Sequence, residues 1–285
     1  MTVYLNGEFL PESEAKISVL DRGFLFGDGV YEVVPVFGGR LFRLEQHLDR
    51  LERSLSAVRI DPPLDRAGWA RMLEDLVARN PGDDRSVYLQ VTRGVARRDH
   101  AFPPDVPPTV FAMVSPIKAP DPALFEQGVS AVTVPDTRWN RCDIKAITLL
   151  ANILARQQAV EAGAAEAILV RGGFATEGAA SNLFVVADGV IVTPPKDTSL
   201  LPGITRDLVV ELAQQHGLPV MESAIPEASL RDAEEIWLTS STKEILPVAR
   251  LDERAVGEGR PGPVWRRMFD LYQDYKRKLR TGEHG

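Results

Sequence analysis

Lys145 is the residue of this sequence whose surroundings most favour chemistry. It lies in DIKAITLLANILA, an apolar stretch that leads into a predicted helix, whereas most other lysines occupy charged or turn contexts. A lysine in such a place extends its amine to water, forms an ion pair, or is desolvated so that the amine becomes a nucleophile. The apolar context alone leaves these three interpretations open.

Glu177 is a second candidate, because a turn places it beside a predicted strand. It precedes Gly-Ala-Ala-Ser in EGAASNLFVV, and the chain then returns into a strand. One interpretation is an ordinary polar turn, which the pattern by itself favours. The other is a carboxylate at a strand end, facing a cofactor cavity, where it would favour a protonated pyridine nitrogen and make the ring an electron sink.

Two hydroxyl-bearing segments could bind an anion. In LPGITRDLVVELAQ (201–214) a helix is predicted to begin near Thr205, whose hydroxyl and neighbouring N–H groups could bind a phosphate. Ser240-Ser241-Thr242 forms a similar turn directly after a predicted strand. Arg50, on the polar side of the first long helix, could complete such a site. The alternatives are ordinary helix caps and a solvated arginine.

The segment ARRDHAFPPDVPP contains a possible carboxylate-binding pair. Arg98 and His100 are two residues apart, so both side chains point to the same side of an extended segment. An arginine fork beside an imidazole donor could bind a carboxylate. The alternative is an exposed basic turn.

The predicted elements of the first half indicate an α+β unit with an antiparallel sheet. A hairpin is expected around Asn6-Gly7, and the segment 26–42 has the pattern of a strand, a Gly-Gly turn and a strand. Leucines spaced by three and four predict a helix over 43–58. A second helix over about 65–79 and two strands over 86–94 and 109–115 complete the unit.

The second half has many short strands separated by glycine-rich turns, which favours a barrel-like or mixed sheet. Helices are expected near 147–162, 205–216 and 263–280. The proline-containing segment IKAPDPA has the composition of a linker. The predicted organisation is therefore an N-terminal α+β domain over 1–117, a linker over 118–122, and a C-terminal domain over 123–285 that carries the lysine.

The composition and net charge of the chain exclude several classes of protein. The 285 residues are 44% hydrophobic, enough for a core, and the single cysteine, Cys142, excludes a disulfide framework and a cysteine-rich metal site. Apolar runs fall short of the ~18 residues of a membrane helix, and no signal-peptide pattern is present. The net charge of −7 argues against a general nucleic-acid binder. We expect a soluble, cytoplasmic protein without a metal ion, a membrane partner or a nucleic-acid partner.

Six motifs in order carry a resemblance across nearly the whole chain. They are DRGFLFGDGVYEV with its Tyr31, HLDRL with its Arg50, the lysine segment DIKAITLLANILA, EGAASNLF, LPGITR and TSSTKEILPV. Together they resemble the fold-type IV pyridoxal-phosphate enzymes. The resemblance implies a two-domain α+β fold, with an N-terminal α/β sandwich-like domain and a C-terminal pseudo-barrel domain, and pyridoxal 5'-phosphate as the cofactor.

The resemblance also implies roles for individual residues. Lys145 would hold the cofactor as a Schiff base and later move the substrate α-proton, and Glu177 would pair with the pyridine nitrogen. Other residues would bind the phosphate or line the ring; those for the phosphate are Arg50, Ile204 through its backbone, Thr205, Ser240 and Ser241, and those for the ring are Ser181, Asn182 and Leu201.

Within the family, the pattern is most similar to that of the D-amino acid aminotransferases. Tyr31, Arg98 and His100 match the residues that hold the substrate carboxylate in that subgroup. The resemblance therefore implies a homodimer that transfers an amino group, by ping-pong kinetics, from D-amino acids such as D-alanine to 2-oxo acids such as 2-oxoglutarate. The alternatives are a branched-chain L-amino acid aminotransferase, an aminodeoxychorismate lyase, and a catalytically silent cofactor-binding scaffold.

Overall fold

The computed structural model describes residues 1–283, which form two compact units. The first unit comprises residues 1–118, the short segment 144–149 and residues 278–283. The second comprises residues 119–143 and 150–277. The chain therefore leaves the second unit at residue 144, contributes six residues to the first, and returns.

The first unit is built on a six-stranded antiparallel sheet with the strand order β2-β1-β6-β5-β3-β4. Its strands are β1 (Thr2–Leu5), β2 (Glu8–Pro11), β3 (Gly29–Phe37), β4 (Arg40–Leu41), β5 (Arg85–Thr92) and β6 (Thr109–Pro116). Asn6 and Gly7 both have positive φ angles (49° and 101°), as a tight β1–β2 hairpin requires. This confirms the predicted hairpin and the predicted antiparallel sheet.

Three helices accompany this sheet: α1 (Arg22–Phe26), α2 (Leu44–Ala57) and α3 (Arg66–Arg79). Helix α2 confirms the prediction made from leucine spacing, since its leucines are buried against the sheet, and α3 confirms the second predicted helix. The core that they share with the sheet contains Val34, Leu48, Leu51, Leu55, Trp69, Leu73, Leu76, Val87 and Leu89. The short helix α1 was not predicted.

The segment 144–149 extends the first sheet at β3. The Tyr31 N–H donates to the Lys145 carbonyl at 2.9 Å, and the Ile147 N–H donates to the Gly29 carbonyl at 3.1 Å. This differs from the predicted organisation, which placed Lys145 in a domain over 123–285. The physical reason is that β4 pairs only with the end of β3, so the beginning of β3 has an open edge that this segment fills.

The second unit contains a ten-stranded mixed sheet that curls into a half-barrel. Strand pairs β7–β8, β7–β15 and β11–β12 are parallel, and the other pairs are antiparallel. The strands are β7 (Val129–Pro135), β8 (Glu166–Arg171), β9 (Phe174–Gly178), β10 (Asn182–Ala187), β11 (Val190–Thr193), β12 (Val220–Glu222), β13 (Ile225–Pro226), β14 (Glu235–Ser240), β15 (Glu244–Leu251) and β16 (Arg254–Ala255). The expected barrel-like or mixed sheet is confirmed.

Five further helices follow the linker: α4 (Pro122–Gln127), α5 (Leu150–Glu161), α6 (Ile204–Gln215), α7 (Glu227–Arg231) and α8 (Pro263–Thr281). The three long helices confirm the predictions, although α5 begins at Leu150 rather than near 147 because the preceding residues pair with β3. Strand β15 was not predicted, since Pro247 interrupts its pattern. Each helix within residues 1–283 is too short or too polar to span a bilayer.

Candidate active site

The predicted site residues are divided between the two units. The first unit carries Tyr31, Arg50, Arg98, His100 and Lys145. The second carries Glu177, Ser181, Asn182, Leu201, Ile204, Thr205, Ser240 and Ser241.

Lys145 lies beside Tyr31 in the first unit. Its Nζ atom is 4.2 Å from the centroid of the Tyr31 ring, and its backbone N–H donates to the Ser54 hydroxyl at 3.3 Å. Tyr31 in turn packs against Tyr88, with ring centroids 5.6 Å apart. Burial raises the pKa of Tyr88 to about 12, so this second phenol stays neutral at physiological pH. The Lys145 amine therefore lies against a pair of packed tyrosine rings.

Arg50 is fixed by a buried carboxylate that sequence reasoning missed. The Nε and Nη2 atoms of Arg50 donate to the two carboxylate oxygens of Glu32, each at 2.8 Å, and the His47 Nδ1 lies 2.7 Å from Glu32 Oε2. Arg50 is only 2% exposed, which rules out a solvated arginine. Glu32 follows Tyr31 in DGVYEV, and His47 is the first residue of HLDRL, so both belong to motifs that carry the family resemblance.

The Glu32 carboxylate is ionised. Burial alone would raise its pKa, but the Arg50 charge and the hydrogen bonds from Arg50 and His47 hold the pKa of Glu32 well below its usual range. Burial lowers the pKa of His47, which favours the neutral imidazole. A bidentate pair of this kind fixes the plane of the guanidinium as well as its position.

Arg98 and His100 lie around a different ring from the one beside Lys145. The Arg98 guanidinium carbon is 5.3 Å and the His100 ring centroid 5.5 Å from the centroid of Phe26. Both side chains are exposed, and the structure places Tyr31 against Lys145 rather than in this cluster.

An ion network anchors the loop that carries Arg98 and His100. Arg22 donates from Nη1 to the Asp99 carbonyl at 2.6 Å and from Nε to Asp28 at 2.8 Å. Arg93 shares the Asp28 carboxylate, also at 2.8 Å, and its guanidinium lies 3.6 Å from the ring centroid of Phe102. Burial raises the pKa of Asp28, but the two arginines outweigh that effect and hold it below its ordinary value. Arg98 and His100 are therefore exposed on a loop that ion pairs and hydrogen bonds hold in place.

Glu177 is the penultimate residue of strand β9 in the second unit, and three groups donate hydrogen bonds to its buried carboxylate. The Asn182 Nδ2 and the Leu201 N–H donate to Oε2, each at 3.1 Å, and Arg138 donates to Oε1. Arg138 is held in turn by Asp136, at 2.9 Å. Glu177 is therefore not an ordinary exposed turn residue.

The pKa of the Glu177 carboxyl lies near neutral pH. Burial raises the pKa of Glu177 to about 7, against the opposing effect of the Arg138 charge and its hydrogen bond. Sequence reasoning missed Arg138 and Asp136, which lie in PDTRWNRCD, a stretch without helix or strand periodicity. A cation placed beside Glu177 would favour the ionised carboxylate.

Asn182 joins the Glu177 strand end to the segment that precedes α6. Besides its bond to Glu177, its Nδ2 donates to the Leu201 carbonyl at 2.7 Å. A Cβ atom at Gly203 would overlap the Asn182 side-chain oxygen, so this close approach requires glycine. Ser181 lies on the same turn, and its hydroxyl is 3.3 Å from Glu166 Oε2.

The first turn of α6 has the features of an anion site. No side chain within residues 1–283 caps its N-terminus, where Gly203 is the N-cap residue and Ile204 and Thr205 follow. The Thr205 hydroxyl is buried, and its oxygen has no hydrogen-bond partner of ordinary geometry in the same range. Free N–H groups and a buried hydroxyl suit a phosphate. The residues present therefore fit a phosphorylated cofactor.

Ser240 and Ser241 lie in the turn between β14 and β15. The Ser240 hydroxyl accepts a hydrogen bond from the Lys243 N–H at 3.2 Å, which leaves its own proton available for donation. Both serines are partly exposed. The turn is thus able to offer hydroxyl donors to an anion.

Comparisons with known proteins agree on a family. Residues 29–251 match the family described as Amino-transferase class IV. D-alanine aminotransferase from Bacillus licheniformis is 42% identical over 96% of both chains, and D-alanine aminotransferase from Staphylococcus aureus (strain MW2) is 40% identical over 96% of this chain and 97% of its own.

Solved structures with the same fold include two branched-chain enzymes. The T.th. branched-chain amino acid aminotransferase with pyridoxamine 5'-phosphate has a TM-score of 0.92 and 28% identity, covering 99% of this chain and 95% of its own. The branched-chain amino acid aminotransferase from Escherichia coli has a TM-score of 0.87 and 28% identity, covering 100% and 95%. The predicted fold class is confirmed, and the chain belongs to the class IV aminotransferases.

Proposed function

We propose that this protein is a D-amino acid aminotransferase that uses pyridoxal 5'-phosphate, with D-alanine as the favoured donor and 2-oxoglutarate as an acceptor. The observation that carries the proposal is the 42% identity, over 96% of both chains, to a D-alanine aminotransferase. The proposed substrate-binding set, Tyr31, Arg98 and His100, agrees with that assignment.

Several of the residues described above would hold the cofactor. Lys145 would attach it covalently through Nζ, and Glu177 would accept a hydrogen bond from the ring nitrogen, next to Ser181, Asn182 and Leu201. The phosphate would be bound by Arg50, Ile204, Thr205, Ser240 and Ser241. When bound, this cofactor supplies a protonated ring that withdraws electrons from the substrate α-carbon.

The protein groups then perform three tasks. The Lys145 amine would take the substrate α-proton and return it, as a general base and then a general acid. The Glu177 carboxylate, whose pKa of about 7 would fall beside a cation, would keep the ring nitrogen protonated. Arg50, locked by Glu32, offers a fixed guanidinium to the phosphate.

We further propose that the protein acts as a homodimer in which the loop bearing Arg98 and His100 serves the site of the other subunit. Both side chains are exposed on an anchored loop, where they lie around the Phe26 ring. A second copy would also cover the outer face of α5, where Leu150, Ile153 and Leu154 are 56–70% exposed.

Sedimentation tests the homodimer. The wild-type protein is expected to sediment at twice its chain mass, and Ile153→Glu with Leu154→Glu is expected to shift it to a monomer with little activity, because two charges would enter the apolar contact. The control is Gln158→Glu, which adds a charge at an exposed polar position of the same helix. A fully active wild-type monomer would refute the proposal.

Donor specificity tests the assignment to D-amino acids. Wild-type protein is expected to prefer D-alanine, and Arg98→Ala is expected to raise KM for D-alanine, lowering kcat/KM by roughly tenfold to a hundredfold because a charge-assisted contact to the carboxylate is lost. His100→Ala should cost less, since a neutral imidazole supplies one hydrogen bond.

The control is Arg97→Ala, which removes the neighbouring exposed arginine. The assay uses both enantiomers of alanine, leucine and glutamate with 2-oxoglutarate. The second candidate, a branched-chain L-amino acid aminotransferase, is favoured by the TM-score of 0.92 to such an enzyme. A preference for L-leucine that Arg98→Ala leaves unchanged would establish that candidate instead.

A further inference from the structure

A buried ion pair ties helix α8 to the turn between β14 and β15. Glu244 is the first residue of β15, and its carboxylate accepts hydrogen bonds from the Lys276 ammonium and from Nε2 of Gln273, the latter at 2.6 Å. Glu244 and Lys276 are 7% and 8% exposed. Both donors lie on α8, so the helix holds this carboxylate from one side.

Glu244 also has an unusual backbone conformation. Its φ angle is +58°, in the left-handed region, where residues that carry a Cβ atom are sterically disfavoured. Ser240 and Glu244 face each other across the hairpin, so this angle shapes the three-residue turn of 241–243. A strained residue persists only where its surroundings hold it. The bonds from α8 to the Glu244 carboxylate supply such a restraint at the end of the turn that carries Ser240 and Ser241.

The same helix reaches the other phosphate-binding segment. Tyr272 lies one helical turn before Lys276, is fully buried, and interacts with the Thr205 side chain. Burial raises the pKa of Tyr272 well above its ordinary value, the Glu244 charge adds to the rise, and the Thr205 hydroxyl opposes it. The phenol therefore remains protonated beside Thr205.

We propose that Tyr272, Gln273 and Lys276 are positioning residues, through which α8 holds the Thr205 segment and the Ser240–Ser241 turn in the arrangement that binds the cofactor phosphate. None of the three is assigned a contact with the cofactor. The inference rests on the proposed function, because it requires that these two segments bind a phosphate.

The net stability that a buried ion pair provides is small, since desolvation of both charges offsets their attraction. Replacing such a pair by apolar side chains of similar size is often neutral for folding. Removing Lys276 alone leaves the buried Glu244 charge unpaired and lowers stability, so a variant that changes both residues is needed to separate an effect on phosphate binding from an effect on folding.

The test compares two forms of the cofactor on the apoprotein. Pyridoxal 5'-phosphate and pyridoxal differ only in the phosphate, and equilibrium titration followed by absorbance gives the affinity for each. Lys276→Met is expected to weaken pyridoxal phosphate about tenfold while pyridoxal changes less than about twofold. Lys276→Arg is expected to restore the affinity, because it retains the ion pair.

Two further variants make the result specific. Arg277→Met is the matched control, since Arg277 is the next residue of α8 and pairs with Asp274 at the surface. The double variant Glu244→Gln with Lys276→Met leaves no unpaired buried charge, and the same selective loss is expected from it if the single variant does not fold.

An equal loss of affinity for both compounds, or no loss for either, would overturn the role of α8 while the phosphate site stands. A wild-type protein that binds pyridoxal as tightly as pyridoxal phosphate would overturn the phosphate site itself, and the inference with it. The two failures are thus distinguishable by the wild-type titration.

Discussion

Lys145→Ala is expected to lower the rate of transamination by roughly a thousandfold or more, because in the proposed function one amine both attaches the cofactor and moves the α-proton. Steady-state rates with D-alanine and 2-oxoglutarate measure the loss.

A second measurement separates attachment from activity. Borohydride reduction followed by peptide mass analysis should find the cofactor mass on the peptide containing Lys145 in the wild-type protein and on no peptide of the variant. Lys196→Ala is the control, since its ammonium pairs with Asp207 at the surface, at 3.2 Å. A variant that transaminates at a rate comparable to wild type would show that Lys145 is not the catalytic lysine.

Glu177→Gln is expected to lower kcat by roughly a hundredfold and to shift the cofactor absorbance, because a neutral amide cannot keep the ring nitrogen protonated. The amide preserves the size of the side chain and can still accept hydrogen bonds from Leu201 and Asn182. Absorbance spectra and turnover, recorded on the same samples, measure both effects. An unaltered spectrum and rate would limit Glu177 to a structural role.

The pH dependence of apoprotein stability gives an independent check on Glu177. Burial raises the pKa of Glu177 from 4.5 to about 7, so the folded state favours the protonated carboxyl. The stability from this group is present below the unfolded pKa and is lost as the pH rises through the folded pKa. Wild-type apoprotein should therefore lose stability relative to Glu177→Gln between about pH 4.5 and 7.

Urea unfolding at several pH values measures this difference. Glu235→Gln provides the control, because Glu235 is also buried in the second unit, where its carboxylate accepts hydrogen bonds from Trp237 and Trp265. That control should change stability without changing the cofactor spectrum. Parallel pH profiles for wild type and Glu177→Gln would contradict the raised pKa.

The regular elements of this fold were predictable where local pattern and tertiary environment agree. The leucine face of α2 and the Asn6-Gly7 hairpin depend on neighbours within a few residues, and both were predicted. Strand β15 was not, because Pro247 argues against a strand until the pairing with β14 is known. A local sequence pattern therefore does not predict a strand whose formation depends on pairing with another strand.

The candidate site likewise contains residues that local motifs indicate and contacts that depend on distant parts of the chain. Lys145 and Glu177 lie in motifs with a recognisable order, so both could be selected as candidates from the sequence. The charges that surround them were not, since Arg138 reaches Glu177 across 39 residues of sequence and Glu32 reaches Arg50 across 18. A pairing between buried charges becomes visible only when the chain has been folded.

The way the chain completes its first unit has a consequence for its synthesis. Residues 1–118 leave the ribosome without the segment 144–149, so the beginning of β3 remains an open edge until Leu149 has emerged. The first unit also includes Arg280, which pairs with Asp84, so residues far along the chain complete it. An unpaired strand edge invites association with other chains. A fragment that ends near residue 118 should therefore aggregate. In the longer chain this edge is covered by the segment 144–149, which also contains Lys145.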